Sequence, residues 1–241
     1  MEYRYAIVVG ASSGIGAELV RQLARTGCRV AAVARRADRL SALAVEFPDR
    51  VIPFPHDVHD LAAVPGLFQE ICGELGGLDL FIYAAGVMPE VGHREYTFEK
   101  DREILEVNVM GAIAWLDEAA LRFDHVGHGT LLAIGSRGGE RGMASFPVYS
   151  TSKAAIATYM EALRNRLDRR GVRVVTVKPG PVETDMTAGL HLKGAMPVAD
   201  AAALILKKST KVGEHFLKPS DRAICFVLRH FPSPLFRRLN L

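Results

Sequence analysis

Two side chains four positions apart, Tyr149 and Lys153, have the clearest chemical potential in this sequence. Residues at i and i+4 lie on one face of a helix, so this spacing places the two groups one turn apart. A free tyrosine has a pKa of about 10, and a nearby ammonium group favours the phenolate, so we expect Lys153 to lower the pKa of Tyr149. Such a phenol can exchange a proton with a substrate oxygen near neutral pH. Ser136 follows a predicted strand, and its hydroxyl could polarise a substrate carbonyl.

A glycine-rich turn between the first apolar strand and a helix is suited to binding a phosphate. Glycines allow a tight turn and a close approach of the backbone, and a helix N-terminus attracts an anion. An ordinary β-to-α turn has a similar composition, but this place in the chain favours the pyrophosphate of a dinucleotide. The candidate binding residues of the turn are Gly10, Ser12, Ser13, Gly14, Ile15 and Gly16. A Tyr-x-x-x-Lys pair alone is more often a surface feature, and its combination with this turn and with Ser136 favours an active site.

Two arginines, Arg35 and Arg36, follow the second predicted strand. In a dinucleotide-binding site, residues at this position contact the 2′ group of the adenosine ribose. An NAD site usually has an acidic residue there, whereas a guanidinium group can bind the 2′-phosphate of NADP with two hydrogen bonds. The nearest acid, Asp38, is better suited to the first turn of the next helix. The alternative is that both arginines merely face solvent. We favour NADP(H) over NAD(H).

Strand-like runs that alternate with helix-like runs must position these residues. The predicted strands are Tyr5–Val9, Arg29–Ala34, Val51–Phe54, Leu78–Tyr83, Gly129–Ile134, Val172–Val177 and His215–Leu217. The predicted helices are Ile15–Thr26, Asp38–Phe47, Asp60–Leu75, Glu99–Arg122, Tyr149–Arg170 and Ala199–Lys208. This alternation predicts an α/β fold with a doubly wound, Rossmann-type parallel sheet of about seven strands, as one domain over residues 1–241. Ligands of such sheets bind at the carboxyl ends of the strands.

The composition excludes several classes of protein. The 241 residues are 49% hydrophobic and carry a formal net charge of only +3, so no nucleic-acid partner is predicted. No apolar run reaches the roughly 18 residues of a membrane span. The three cysteines follow no metal-ligand spacing, so no metal site is predicted. An odd number of cysteines without a signal segment favours a cytoplasmic location.

Taken as a set, these motifs give the stretch from Tyr5 to about Thr187 a clear resemblance to the short-chain dehydrogenase/reductase superfamily of single-domain type. Gly10, Gly14 and Gly16 match the family's glycine turn. The resemblance implies a catalytic tetrad, which consists of Asn108, Ser136, Tyr149 and Lys153. It implies that Tyr149 is the general acid in carbonyl reduction, that Lys153 also binds the nicotinamide ribose, and that Ser136 orients the carbonyl. The backbone carbonyl of Asn108 would hold a water in a proton relay.

The resemblance also implies further contacts to the cofactor. Asp57 and Val58 match a pair whose carboxylate contacts the adenine, and Val182 and Thr184 match residues that hold the nicotinamide carboxamide. The complete set of further cofactor residues is Asp57, Val58, Ala85, Gly86, Tyr149, Lys153, Pro179, Gly180, Val182 and Thr184. One departure is Tyr83-Ala84-Ala85-Gly86, where the family often has Asn-Asn-Ala-Gly. We expect this departure to adjust stability rather than to remove activity.

The substrate residues are predicted less sharply. Residues 185–198 fall where family members carry a substrate lid, and flexible methionines suit a pocket of loosely specified shape. The candidate substrate residues are Met88, Arg137, Met143, Met186 and Leu190. Packing on the core explains the apolar ones equally well. Arg137 and Arg141 could bind an anionic substrate tail, but such arginines are more often solvated.

The C-terminal tail, residues 220–241, diverges from the resemblance. We expect Ser220 to cap a new helix whose apolar residues and arginines fold back on the domain, meet a partner or lie on a membrane surface. Exposure of so many large apolar groups favours a homodimer or homotetramer, with peripheral membrane contact as the less favoured alternative.

The leading functional hypothesis is an NADP(H)-dependent oxidoreductase acting on a carbonyl or secondary alcohol of a small, moderately apolar substrate. The rival from another class is an NADP-binding sensor or scaffold protein with little turnover. An intact tetrad favours the enzyme. Isomerase or dehydratase chemistry uses related folds with larger substrate domains, for which 241 residues leave little room.

Overall fold

The computed structural model describes residues 3–92, 94–189 and 194–238. Its centre is a seven-stranded sheet in the order β3-β2-β1-β4-β5-β6-β7, with every neighbouring pair parallel. The strands are β1 (Tyr5–Val9), β2 (Arg29–Ala34), β3 (Val51–Pro55), β4 (Leu80–Tyr83), β5 (Gly129–Ile134), β6 (Val172–Lys178) and β7 (Gly213–Phe216). The predicted doubly wound Rossmann-type sheet is confirmed.

Helices cover both faces of this sheet, which is why its strands are continuous apolar runs. Their bounds are α1 (Gly14–Arg25), α2 (Ala37–Glu46), α3 (Val64–Leu75), α4 (Phe98–Leu105), α5 (Gly111–Val126), α6 (Pro147–Leu167), α7 (Val198–Lys208), α8 (Pro219–His230) and α9 (Ser233–Phe236). One hydrophobic core lies between the sheet and α3, α5 and α6. The other lies between the opposite face and α1, α2 and α7. The sheet therefore holds its carboxyl edge rigidly between two packed layers.

The predicted helix Glu99–Arg122 differs most from the structure. It consists of α4 and α5 joined by a π-helical turn over Glu106–Met110. Such turns often occur at functional sites, because the extra residue changes the direction of nearby side chains. The predicted start of α3 at Asp60 is also early: the Asp60 carboxylate accepts a hydrogen bond from the backbone of Ala63 and caps a short 3₁₀ turn instead.

The C-terminal tail folds back on its own chain as far as it is described. Helix α8 begins at Pro219 with Lys218 as its N-cap, so the expected capping by Ser220 is wrong. Proline suits the first position of a helix because its φ is already fixed and it has no N–H to leave unpaired. Asp221 and Cys225 are buried against the rest of the chain. In the described part of the chain, the helices are all too short or too polar to cross a membrane.

Candidate active site

A cleft of about 610 Å³ opens at the carboxyl edge of the sheet and brings most of the predicted site residues together. The predicted cofactor residues that line it are Gly10, Ser12, Ser13, Gly14, Ile15, Gly16, Arg35, Arg36, Val58, Ala85, Gly86, Tyr149, Lys153, Pro179, Gly180, Val182 and Thr184. The catalytic candidate Ser136 and the substrate candidates Met88, Arg137, Met143 and Met186 line it as well. Leu190 lies outside the described residues. Asp57 and Asn108 are not among the lining residues.

The glycine turn is built so that the backbone itself forms the floor of the cleft. Gly10 has a φ of +90°, and a Cβ there would lie 2.4 Å from the backbone nitrogen of Ala85. A Cβ on Gly16 would lie 2.1 Å from the carbonyl oxygen of Gly10. A side chain at either position would collide with the backbone, so glycine is required for the turn to pack closely on itself and on the loop after β4. The turn leads into the N-terminus of α1, whose unpaired N–H groups attract an anion. The turn therefore fits a dinucleotide pyrophosphate.

Arg36 follows β2, which lies three strands away in the sheet from β5, the strand that Ser136 follows. Its guanidinium donates hydrogen bonds to Ser12 Oγ at 2.8 Å and to Ser13 Oγ at 2.7 Å. Burial and then the neighbouring Arg39 guanidinium lower the pKa of Arg36. Arg35 lies 3.8 Å from the Asp57 carboxylate. Among the described residues, Arg36 forms no ion pair, so its charge and the two hydroxyls fit a phosphate group.

Tyr149 and Ser136 both line the cleft and lie next to each other. Tyr149 belongs to the first turn of α6, and Ser136 follows β5, where its Oγ accepts a hydrogen bond from the backbone of Gly138 at 3.0 Å. Burial raises the pKa of Tyr149, and a hydrogen bond with Ser136 opposes this effect only in part. The expected lowering of the Tyr149 pKa is therefore wrong for this structure, because desolvation outweighs the hydrogen bond with Ser136. The phenol stays protonated, which is the form that a proton donor needs.

Lys153 lies one turn further along α6, and it is buried between the sheet edge and the helix. Its Nζ lies 5.8 Å from the centre of the Tyr149 ring and donates a hydrogen bond to the carbonyl of Ile134 at 3.1 Å. Gly86 and Gly139 allow this packing, because a Cβ on Gly139 would lie 2.8 Å from the backbone of Lys153. The structure thus confirms that the i and i+4 spacing places the Lys153 ammonium next to the Tyr149 ring.

The buried position of Lys153 should make stability depend on pH. Burial lowers its pKa from 10.5 to about 8, so between these values the unfolded chain binds more protons here than the folded chain. We expect the free energy of unfolding of the wild type to rise relative to that of Lys153→Met across this window, by at most about 3 kcal/mol. Urea unfolding at a series of pH values measures this. A difference between the two proteins that does not change with pH would contradict the lowered pKa.

Asn108 lies behind the cleft rather than in its wall. It is 1% exposed, in the π-helical turn between α4 and α5. Its side-chain oxygen accepts a hydrogen bond from the Val87 backbone at 2.8 Å, and its nitrogen donates to the Val87 carbonyl and to Ser152 Oγ. The side chain therefore joins the loop after β4 to α6. This use of the side chain is compatible with the predicted role of the backbone carbonyl, which stays a prediction.

The departure at Tyr83-Ala84 has a structural compensation. The buried Tyr83 hydroxyl donates a 2.6 Å hydrogen bond to the carbonyl of Val107. This bond crosses from β4 to the π-helical turn beside Asn108. Gly111 leaves room for it, since a Cβ there would lie 2.9 Å from the Tyr83 oxygen. The tyrosine thus braces β4 against the π-helical turn.

Asp57 lies next to the cleft lining rather than in it, and its predicted contact with an adenine stays a prediction. Its carboxylate accepts a hydrogen bond from the His59 backbone at 3.1 Å and contacts the His59 ring at 2.6 Å. The residues on either side of it, His56 and Val58, line the cleft instead. His56 is buried, and its Nε2 has no partner within the described residues. The sequence reasoning missed His56, for which adjacency to Asp57 was the only available signal.

The two described ends of the proposed lid, residues 185–189 and 194–198, differ in their surroundings. Met186 and Thr187 line the cleft. Met196 instead packs into the core on the α7 face and pairs with Val182 in a short parallel bridge. Arg39 and Asp185 form an ion pair at 3.4 Å that connects the first of these ends to α2. The apolar lid residues thus divide between the cleft and the core.

Helix α8 supplies cleft residues that no sequence motif indicated. Ile224 and Leu228 line the cleft. Arg137 pairs with Asp221 of the same helix at 3.1 Å. Arg141 donates hydrogen bonds to the carbonyls of Leu228 and Phe231 and stacks over the Phe236 ring, so it does not line the cleft. Only tertiary packing brings this tail to the site, which is why local patterns could not reveal it.

Comparisons with known proteins agree with this geometry. A family model described as short chain dehydrogenase matches residues 4–193. An uncharacterized oxidoreductase of Myxococcus xanthus (strain DK1622) is 36% identical over 242 residues, covering 98% of this chain and 96% of the relative. An uncharacterized oxidoreductase of Mycobacterium tuberculosis is 34% identical over 188 residues, which cover 76% of this chain and 74% of the relative.

Solved structures extend the similarity to the whole fold. A short chain dehydrogenase from Burkholderia cenocepacia J2315, in complex with NADP, superposes with a TM-score of 0.86 at 26% identity, over 100% of this chain and 98% of that one. A short-chain type dehydrogenase/reductase from Mycobacterium marinum gives 0.82 at 25% identity, over 95% and 96%. The chain therefore belongs to the short-chain dehydrogenase/reductase family of oxidoreductases.

Proposed function

We propose that this chain is an NADP(H)-dependent oxidoreductase that transfers a hydride between the nicotinamide and a carbonyl or secondary alcohol. The observation that carries the proposal is one cleft lined by the glycine turn after β1, by Arg36 after β2, and by Ser136, Tyr149 and Lys153. In the sheet order β2-β1-β4-β5, the glycine turn lies between Arg36 and Ser136, which follows β5. A nicotinamide dinucleotide binds across the carboxyl edge of such a sheet, with its pyrophosphate at the glycine turn. The NADP complex of the Burkholderia cenocepacia protein supports the same choice of cofactor.

Residues of this chain would hold the cofactor in three places. The backbone from Gly10 to Gly16 and the N-terminus of α1 bind the pyrophosphate. Arg36, with Arg35 beside it, binds the 2′-phosphate. Val182 and Thr184, on the segment after β6, hold the nicotinamide carboxamide, and Lys153 binds the ribose of that half. When bound, NADPH supplies the hydride, and the chain supplies orientation and electrostatic stabilisation.

The residues around the substrate oxygen would also supply the proton that completes carbonyl reduction. Ser136 Oγ donates a hydrogen bond to the carbonyl oxygen and stabilises the negative charge that develops on it. The Tyr149 hydroxyl gives that oxygen its proton, and the Lys153 ammonium favours the phenolate that remains. Asn108 fixes the loop after β4 against α6, so that these groups keep their distances. In alcohol oxidation the same groups act in reverse.

Consumption of NADPH with a mixed panel of ketones, aldehydes and quinones tests this function. Turnover of at least one carbonyl class supports the oxidoreductase. NADPH binding in calorimetry without turnover of any class would favour the sensor or scaffold protein instead. The panel also narrows the substrate class.

The cofactor preference gives a quantitative prediction. Replacement of Arg35 and Arg36 by glutamine should weaken NADPH binding by about 2–4 kcal/mol, because charge-assisted bonds to the phosphate are lost. NADH binding should change little. Arg25→Gln, at an exposed arginine in the last turn of α1, is the matched control. Titration of cofactor fluorescence measures both affinities. Equal losses of affinity for NADPH and NADH would mean that the two arginines stabilise the fold and do not bind the 2′-phosphate.

We also propose a homodimer or homotetramer in a cytoplasmic setting. The exposed tail residues Phe226, Val227 and Leu235 support assembly, since a partner chain could bury them. The same residues leave peripheral membrane contact as the alternative.

A further inference from the structure

The cleft that contains Tyr149 has apolar side chains in its wall. Met88, Met143, Phe146 and Met186 line it from loops of the main fold. Ile224 and Leu228 complete this wall from α8, one turn apart on the same helix face. Apolar contacts from several independent segments are typical of a pocket that removes an apolar group from water. The tail therefore forms part of the cleft wall.

Arg137, which also lines the cleft, already forms an ion pair within the chain. Its guanidinium lies 3.1 Å from Asp221 Oδ1, and the Asp221 side chain is only 5% exposed. Asp221 has little room to move away: a Cβ on Gly180 would lie 2.8 Å from Oδ2. A carboxylate of a substrate would have to displace Asp221 from Arg137 and would meet the buried negative charge of Asp221 at short range. The pair thus opposes anionic substrates.

A second set of charges keeps α8 in place beside the catalytic loop. Arg229 of α8 pairs with Glu140 at 2.8 Å. Glu140 also pairs with Lys178, which is buried at the end of β6 and contacts Glu214 at 2.7 Å. Removal of one partner from a buried pair is costly, because the other charge stays unpaired. The Glu140–Lys178 pair is buried and fixes the loop after β5, whereas the Arg229 side chain is 60% exposed and adds a contact from α8 to that loop.

We propose that α8 makes this site selective for neutral, apolar carbonyl substrates. Ile224 and Leu228 contact the apolar group of the substrate. Asp221 is a positioning residue that neutralises Arg137 and thereby disfavours substrates carrying a carboxylate near the reacting carbon. The inference rests on the proposed function, and it goes beyond that function by naming the substrate class and the residues that select it.

Matched carbonyl pairs that differ only in a free carboxylate or its methyl ester test the inference. Suitable pairs are 4-formylbenzoate, levulinate and acetoacetate, each with its methyl ester. We expect the wild type to have a kcat/KM for the ester at least about tenfold above that for the carboxylate. Asp221→Asn keeps the shape but uncovers Arg137, so it should lower the KM for the carboxylate at least about tenfold. The KM for the uncharged ester should change less than the KM for the carboxylate.

Three further variants separate selectivity from folding. Asp200→Asn, at an exposed acid in the first turn of α7, should leave the preference unchanged. Arg137→Gln combined with Asp221→Asn should restore the preference for the ester. Ile224→Arg adds a guanidinium at a position that is 45% exposed, so it should shift the preference toward carboxylates even if Asp221→Asn fails to fold. NADPH binding establishes which variants are folded.

The outcomes distinguish this inference from the proposed function. Equal turnover of ester and carboxylate by the wild type would overturn the inference while the proposed function stands. An unchanged preference in folded Asp221→Asn and Ile224→Arg would overturn it as well. Absence of turnover with every pair and with the mixed carbonyl panel would overturn the proposed function itself.

Discussion

Tyr149→Phe is expected to lower kcat by about 10²–10⁴-fold while NADPH binding stays within a few-fold. The phenol lines the cleft, and the substitution removes only its hydroxyl, which is the proposed proton donor. Burial of this side chain raises its pKa, so the hydroxyl is fully protonated near neutral pH. Steady-state NADPH consumption gives the rate, and fluorescence titration gives the affinity.

Tyr159→Phe is the matched control for this variant. It lies on the same helix, and its hydroxyl hydrogen-bonds Asp117 outside the cleft. We expect activity near that of the wild type. A rate for Tyr149→Phe close to that of this control would remove Tyr149 from the role of general acid.

Ser136→Ala is expected to cost about 10²–10³-fold in kcat, the usual effect of removing one hydrogen-bond donor to a developing oxyanion. The effect should appear mainly in kcat, because the bond to the carbonyl oxygen strengthens as negative charge develops. Loss of the hydroxyl also removes the acceptor of the Gly138 backbone N–H, so the melting temperature must be measured together with the rate.

Ser150→Ala provides a control for the loss of a buried serine hydroxyl. Ser150 is adjacent to Tyr149, it is 2% exposed, and its Oγ has no hydrogen-bond partner within the described residues. We expect unchanged turnover and unchanged or slightly higher stability, since no bond is lost. Similar rate losses for both serine variants would indicate a disturbance of α6 rather than loss of an oxyanion donor.

Much of this molecule could be predicted because its signals are local. The buried strands can be recognised in the sequence as short apolar runs. The spacing of Tyr149 and Lys153 places them on one face of a helix, whatever the tertiary structure is. The glycine turn is equally local, since Gly10 and Gly16 are required by backbone contacts within the first β-to-α unit and with the end of β4. These motifs sufficed for the fold, the family and most of the cleft.

The features that could not be predicted depend on contacts between distant segments. The pairing of Arg137 with Asp221 joins residues 84 positions apart, and no spacing rule connects them. The π-helical turn around Asn108 cannot be distinguished from an α-helix in the sequence, because its residue types also occur in α-helices. The pKa of Tyr149 was predicted from one neighbour, whereas burial by the whole site determines its direction.

Transfer of deuterium from NADPH labelled at the transferring position of the nicotinamide tests the central claim most directly. With a carbonyl substrate from the panel, the wild type should produce an alcohol that carries one deuterium on the carbinol carbon, detected by mass spectrometry. Tyr149→Phe should form this product at least about 10²-fold more slowly. An unlabelled alcohol, or no alcohol from any carbonyl despite bound NADPH, would contradict the proposal that this cleft performs hydride transfer.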